Sequence, residues 1–118
     1  MAAPVYEMTV VSHTHWDREW YRTFQDFRLS LVRLVDDLLD ILDRDPAFRS
    51  FMLDGQTIVL EDYLALRQER EADLRRHVQA GRLIIGPWHI LPDEFLVGPE
   101  ATVRNLMLGA AICARFGE

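Results

Sequence analysis

The chain has 118 residues and a mass of 13.8 kDa, the size of one ordinary domain. Apolar residues make up 49% and charged residues 27%, which excludes a disordered or fibrous chain. Nineteen acidic residues stand against thirteen basic ones, all of them arginine, for a net charge of -6 and a pI near 5.1, a balance that disfavours a binder of nucleic-acid phosphates.

The one cysteine, Cys113, excludes an internal disulfide and a multi-cysteine zinc cage. Its neighbours Ala110, Ala111, Ile112 and Ala114 place it in an apolar helix, so a buried thiol is expected. No apolar run approaches the ~20 residues of a membrane span, and no membrane partner is expected. The start, Met1-Ala2-Ala3-Pro4, lacks the features of a signal peptide, which makes the cytoplasm the expected compartment.

Val5 to Ser12 is rich in β-branched residues and reads as a buried strand. Leu31, Val32, Val35, Leu38, Leu39 and Leu42 then recur at helical spacing, and Pro46 stops that helix. Phe48 to Leu53 reads as a second strand closed by an Asp54-Gly55-Gln56 turn. Two helical pieces, Ile58 to Leu66 and Glu71 to Gln79, follow, the second capped by Gly81. His77, flanked by Arg75 and Arg76, is expected on the surface.

Leu83 to Ile85 forms a third strand, and the last helix opens at Gly98-Pro99-Glu100, with proline in its first turn and a carboxylate near its positive end. Strands alternating with helices imply an α/β fold with parallel pairing and right-handed crossovers. Three strands leave sheet edges and a face thinly covered, and the chain stops at Phe116-Gly117-Glu118, where another strand is expected. The whole chain, 1–118, therefore reads as the N-terminal part of a larger α/β protein.

In parallel α/β folds, ligands bind beyond the carboxyl ends of the strands. Those ends carry His13, His15 and Asp17 after strand one, Asp54 after strand two, and Trp88, His89, Asp93 and Glu94 after strand three. His13, His15 and Asp17 alternate, so an extended segment puts them on one face, and imidazole nitrogen with carboxylate oxygen is a donor set zinc accepts. The pattern alone suits other divalent metals and an HxH metallohydrolase equally well. Trp16 alternates away from that face and is expected in the core. Trp20 and Trp88 lie near the rim, where core packing and contact with a sugar ring are evenly matched. Asp54 reads first as ordinary Asp-Gly turn chemistry; Asp93 and Glu94 read either as solvated carboxylates or, for Asp93, as a nucleophile or metal ligand held by the stiff Pro87 and Pro92 that precede it.

The run His13-Thr14-His15-Trp16-Asp17-Arg18-Glu19-Trp20 resembles the HxHxDxxW signature of the zinc-dependent α-mannosidases, glycoside hydrolase family 38. Gly86-Pro87-Trp88-His89-Ile90-Leu91-Pro92-Asp93-Glu94 resembles the segment that carries that family's nucleophile. Leu53-Asp54-Gly55-Gln56 and Val103-Arg104-Asn105-Leu106 resemble its bacterial branch, which includes mannosylglycerate hydrolase. The resemblance implies the opening β/α units of a larger β/α barrel-like glycosidase domain. It implies one zinc ion on His15, Asp17 and Asp93, with Asp93 also the catalytic nucleophile, Trp20 against the bound mannose, and His13 orienting the metal site from behind.

The reaction so implied is retaining hydrolysis of α-mannosides, or of a mannosylglycerate-like carbohydrate, through a glycosyl-enzyme on Asp93. Arg18-Glu19 departs from the small, glycine-containing pair of many animal members, which puts the rim near Trp20 in question. The family's fourth zinc ligand and general acid are expected beyond this chain. Glu94 adjoins the nucleophile, whereas retaining enzymes set their two carboxyls ~5–5.5 Å apart on opposite sides of the scissile bond. Two other readings stand beside this one: an inactive fragment that binds zinc or carbohydrate, and an unrelated HxH metallohydrolase that does not need Asp93.

Overall fold

The computed structural model describes residues 5–117; residues 1–4, read above for targeting features, and Glu118 lie outside that range. Helix α1 spans Phe24–Arg44. Its cap is Thr23, whose hydroxyl accepts from the Asp26 amide and donates to the Asp26 carboxylate at 2.7 Å. Leu31, Val35, Leu38, Leu39 and Leu42 form the buried stripe of α1, as their spacing predicts, and Asp45 ends the helix one residue before Pro46. The Arg82 guanidinium then gathers the carbonyls of Leu42, Asp45 and Phe48, pinning the turn that leaves α1.

Strand β1 (Phe51–Met52) pairs in parallel with β2 (Leu83–Ile84), Phe51 opposite Leu83 and Met52 opposite Ile84. On the other side of β1, Met52 N–H donates to the Ser12 carbonyl at 2.9 Å and the Met52 carbonyl accepts from Thr14 N–H at 3.1 Å. Three parallel segments thus lie side by side with β1 in the middle, but the regular sheet has two strands.

The strand expected over Val5 to Ser12 is not formed; the segment contributes one isolated bridge, His13 to Met52. Val5, Tyr6, Met8 and Val10 are 79–98% exposed. An apolar, β-branched run marks a strand covered on both faces, and no described residue provides that cover. The other two strands are also shorter than expected, losing Phe48, Arg49, Ser50 and Leu53 from the one and Ile85 from the other to irregular backbone.

Helix α2 (Ile58–Leu64), a 3-10 turn (Gln68–Arg70) and helix α3 (Glu71–Gln79) cross from β1 to β2. Gly81 closes α3 with a left-handed φ of 66°, and Arg82 N–H returns to the His77 carbonyl. His77 itself is 2% exposed, which corrects the surface expectation. It lies three residues after the buried Leu74 and one before the buried Val78, on the inward stripe, while Arg75 and Arg76 project elsewhere. Its Nε2 stands 3.0 Å from the Asp43 carboxylate of α1, which Arg76 also reaches at 2.9 Å. Burial and the Arg76 charge hold the imidazole below its usual pKa, against the pull of Asp43.

Helix α4 (Pro99–Phe116) begins at Gly98 and ends on Gly117, whose φ of 92° suits glycine. Cys113 is buried, as expected. Gly109 lets α4 lie directly on the segment after β2: a Cβ there would overlap the Pro87 carbonyl oxygen and stand 2.6 Å from the Trp88 carbonyl carbon. Among the described residues no helix is long and apolar enough to cross a membrane.

Candidate active site

The three loops that follow the parallel segments enclose one cavity of about 650 Å³. Residues 15–19 line it from the first loop, Gln56 from the second, and residues 90–93 from the third. His15, Asp17 and Asp93 therefore share one space, at the carboxyl ends of the strands.

Each nitrogen of the His15 ring faces a carboxylate. Nε2 stands 3.7 Å from Asp17 Oδ2 and Nδ1 stands 3.8 Å from Asp54 Oδ1. The His15 side chain is 72% exposed and that of Asp54 only 8%. Asp54 is both a turn residue and more than one. Its φ of 50° is the left-handed conformation that Asp tolerates and that Asp-Gly predicts, with Gly55 following at 65°. Its buried Oδ2 accepts the Trp16 amide at 2.6 Å and the Gln56 side-chain amide at 3.0 Å.

Gln56, 2% exposed, ties the three loops together. Its Nε2 also donates to the Trp16 carbonyl at 2.7 Å, and its Oε1 accepts the Leu91 amide at 3.1 Å. Backbone bonds extend the tie: Trp88 N–H donates to the Gly55 carbonyl, and the first amides of α2, Thr57 and Ile58, donate to the carbonyls of Trp88 and His89. From the far side Asn105 of α4 accepts the amides of His89 and Ile90 at 3.0 and 2.8 Å and donates to the Ile90 carbonyl at 2.6 Å. Sequence reasoning singled out neither Gln56 nor Asn105 for a role. The one signal was that both fall in segments resembling the bacterial branch.

The remaining expected residues separate. His13 does not line the cavity; it is exposed, and its Nδ1 lies 2.7 Å from the Thr14 carbonyl oxygen. Trp16 packs against the core, edge to face with Phe27 at 6.0 Å, and also lines the cavity. Trp20 is 76% exposed and stands edge to face with Tyr21, which meets Phe27 in turn, so α1 supports it through two rings. Trp88 and Glu94 do not line the cavity. Arg18 makes a two-pronged ion pair with the buried Asp62 of α2, at 2.7 and 2.8 Å. The Arg18-Glu19 departure is thus an anchor for the first loop.

The donor chemistry suits zinc, which takes imidazole nitrogen and carboxylate oxygen at ~2.0–2.2 Å. Two donors on one tetrahedral ion sit roughly 3.4 Å apart, close to the 3.7 Å between His15 and Asp17. Asp93 shares their cavity, although no three His, Cys, Asp or Glu side chains among the described residues are close enough together to enclose an ion. The arrangement is a ready pair with a third donor across the space.

Known proteins carry the same arrangement of chain. A protein of Halalkalibacterium halodurans bearing the name "Putative mannosylglycerate hydrolase" is 55% identical over 109 residues, 92% of this chain and 12% of its own length. An α-mannosidase from Enterococcus faecalis, known from its crystal structure, superposes with a TM-score of 0.88 at 48% identity, over 91% of this chain and 12% of that one. A second Enterococcus faecalis crystal structure, of a protein in glycosyl hydrolase family 38, gives 0.83 at 45% identity with the same coverage. The chain spans about an eighth of the length of these relatives. The sequence model described as the glycosyl hydrolases family 38 N-terminal domain matches residues 5–117. On a match that takes in nearly all of its residues, the chain belongs to glycosyl hydrolase family 38.

Proposed function

We propose that this chain is the opening portion of a larger, β/α barrel-like catalytic domain that hydrolyses α-mannosides, a mannosylglycerate-like carbohydrate among them, with retention of configuration. The observation that carries this reading is the single cavity lined by His15, Asp17 and Asp93 in a family 38 chain. The names of the relatives support the substrate class.

In this reading Asp93 attacks the anomeric carbon and forms a glycosyl ester as the aglycone leaves, and water then cleaves that ester. His15, Asp17 and Asp93 would hold a zinc ion, which when bound supplies Lewis-acid orientation of the cis 2- and 3-hydroxyls of mannose. Trp20, exposed beside the first loop, offers its ring to the sugar. His13 would orient the metal site from behind, on a segment held by the main-chain bridge to Met52. Glu94 adjoins Asp93 and does not line the cavity; as the family resemblance implies, the general acid would come from the part of the domain outside this chain.

The test compares the full-length protein with its Asp93→Asn variant on an aryl α-mannoside. The expected result is retained α-configuration in the first-formed product, and loss of turnover to background in the variant. A slow-turnover fluorinated mannoside should leave its mass on the peptide containing Asp93. Zinc bound without turnover in the wild type would support a binding fragment instead, and phosphate-ester or amide hydrolysis surviving in Asp93→Asn would support a different metallohydrolase.

A further inference from the structure

Asp54 does not line the cavity, but its buried carboxylate stands beside His15, which does, and the mechanism above gives it no part. Its two oxygens have different surroundings. Oδ2 is occupied by the Trp16 amide and the Gln56 side chain, whereas Oδ1 faces His15 Nδ1 at 3.8 Å. The opposite ring nitrogen, Nε2, faces Asp17. A metal-binding imidazole characteristically donates its other ring N–H to a carboxylate, which fixes its tautomer and orientation.

We propose that Asp54 is the positioning residue of this site: it selects the Nδ1–H tautomer of His15 and leaves the Nε2 lone pair on the Asp17 side, where a metal ion is received. The inference rests on the zinc reading of the site. The packing explains why Asp54 can do this. Its carboxylate is anchored on a main-chain amide and on a buried glutamine, and its left-handed backbone is fixed by the turn, so it does not follow the exposed ring. The His15 ring is largely exposed and Asp54 is anchored, so the ring is the partner that moves the ~1 Å needed to reach hydrogen-bond length. Both carboxylates facing the ring are thereby used, one on each nitrogen.

Substitution of Asp54 by Asn tests this with little change of shape, because Asn accepts left-handed backbone as readily and keeps one oxygen for the Trp16 amide. The Asn amide group then presents N–H to His15 Nδ1, favouring the opposite tautomer and a protonated Nε2. In the full-length protein, zinc affinity measured by competition with a chromogenic chelator is expected to fall roughly 10- to 100-fold in Asp54→Asn. In a His15→Ala background the same change should shift affinity by less than about 2-fold, since Asp54 acts through that ring. Unchanged affinity in Asp54→Asn, with His15→Ala losing zinc, overturns the role of Asp54 and leaves the zinc reading intact. An equal loss in the His15→Ala background also overturns it. Absence of zinc binding by the wild type overturns both. Should Asp54→Asn fail to fold, nitrogen NMR of labelled histidine in the metal-free wild type decides: Nδ1–H on His15 is expected, and Nε2–H refutes the proposal.

Discussion

Replacing Gln56 by Met removes the tie between the loops while preserving length and approximate volume, so little cavity energy confuses the result. Three side-chain hydrogen bonds are lost: to the Trp16 carbonyl, to the Asp54 carboxylate and from the Leu91 amide. A neutral bond contributes about 1 kcal/mol net and one to a charged group about 1.5–3, giving a gross loss of roughly 4 kcal/mol. Trp16 is half-buried and Leu91 exposed, so water can reach two of the stranded partners; Asp54 keeps its Trp16 amide. The net loss should therefore be about 2–3 kcal/mol. Urea unfolding followed by tryptophan fluorescence measures it, with Trp16 and Trp88 reporting from either side of the tie, and the slope against denaturant should not change. On the proposed reading, the loosened separation between His15 and Asp93 should lower kcat/KM of the full-length protein on an aryl α-mannoside by about 10²-fold. A stability change below about 0.5 kcal/mol would refute the reasoning, because the three bonds would then be replaceable by solvent.

Gly109→Ala should destabilise the chain by about 1–2 kcal/mol in thermal or urea unfolding: overpacking against Pro87 and Trp88 outweighs the ~1 kcal/mol gain in helix propensity. A stabilised variant would mean that α4 does not lie on that segment. Lowering the pH below 6.5 should weaken the fold through His77. Its folded pKa is depressed, so the unfolded chain binds more protons, and the contribution present above 6.5 is lost as pH falls towards the folded value. The groups facing it are Asp43 from α1, Arg76 on its own helix and Arg82 beyond. The Asp43 carboxyl is held below its usual range, chiefly by Arg76, and gives way only at lower pH. His77→Gln should flatten the pH dependence of urea midpoints just below 6.5, and coincident slopes for variant and wild type would refute the account.

Helices were the legible part of this fold because their signals are local. The stripe of α1, the proline and glycine that bound α4, and Gly81 after α3 each depend on residues within a turn of one another. Strand length was less legible, since pairing depends on what lies alongside: Val5 to Val11 carries the composition of a strand without a described partner on its outer side. His77 was misjudged by its charged neighbours, although its spacing from Leu74 placed it inward. In the site, the strand ends brought eight polar or aromatic residues to one rim, of which His15, Asp17 and Asp93 line the cavity; singling out those three took the family resemblance. Gln56 and the second role of Asp54 were not legible, because both act through main-chain groups thirty-five or more positions away.

The exposed apolar side chains bear on the proposal of a larger domain. Val5, Tyr6, Met8 and Val10 flank the first loop from below, and Phe95 and Leu96 follow Asp93, so exposed apolar surface adjoins both segments that carry the expected metal donors. Burying a large apolar side chain contributes about 1.5–3 kcal/mol, so these six leave roughly 9–18 kcal/mol of hydrophobic stabilisation unrealised. Large apolar side chains left this exposed in two runs of sequence are characteristic of surface that another part of a protein covers. On the proposed reading the rest of the domain covers it, pairing with the Val5 to Val11 edge and packing on Phe95 and Leu96. On the same reading, the covering surface lies beside both segments that carry the expected metal donors. Assembly of the domain and completion of the metal site would be one event, and zinc affinity should rise with the contacts that bury Val10 and Phe95.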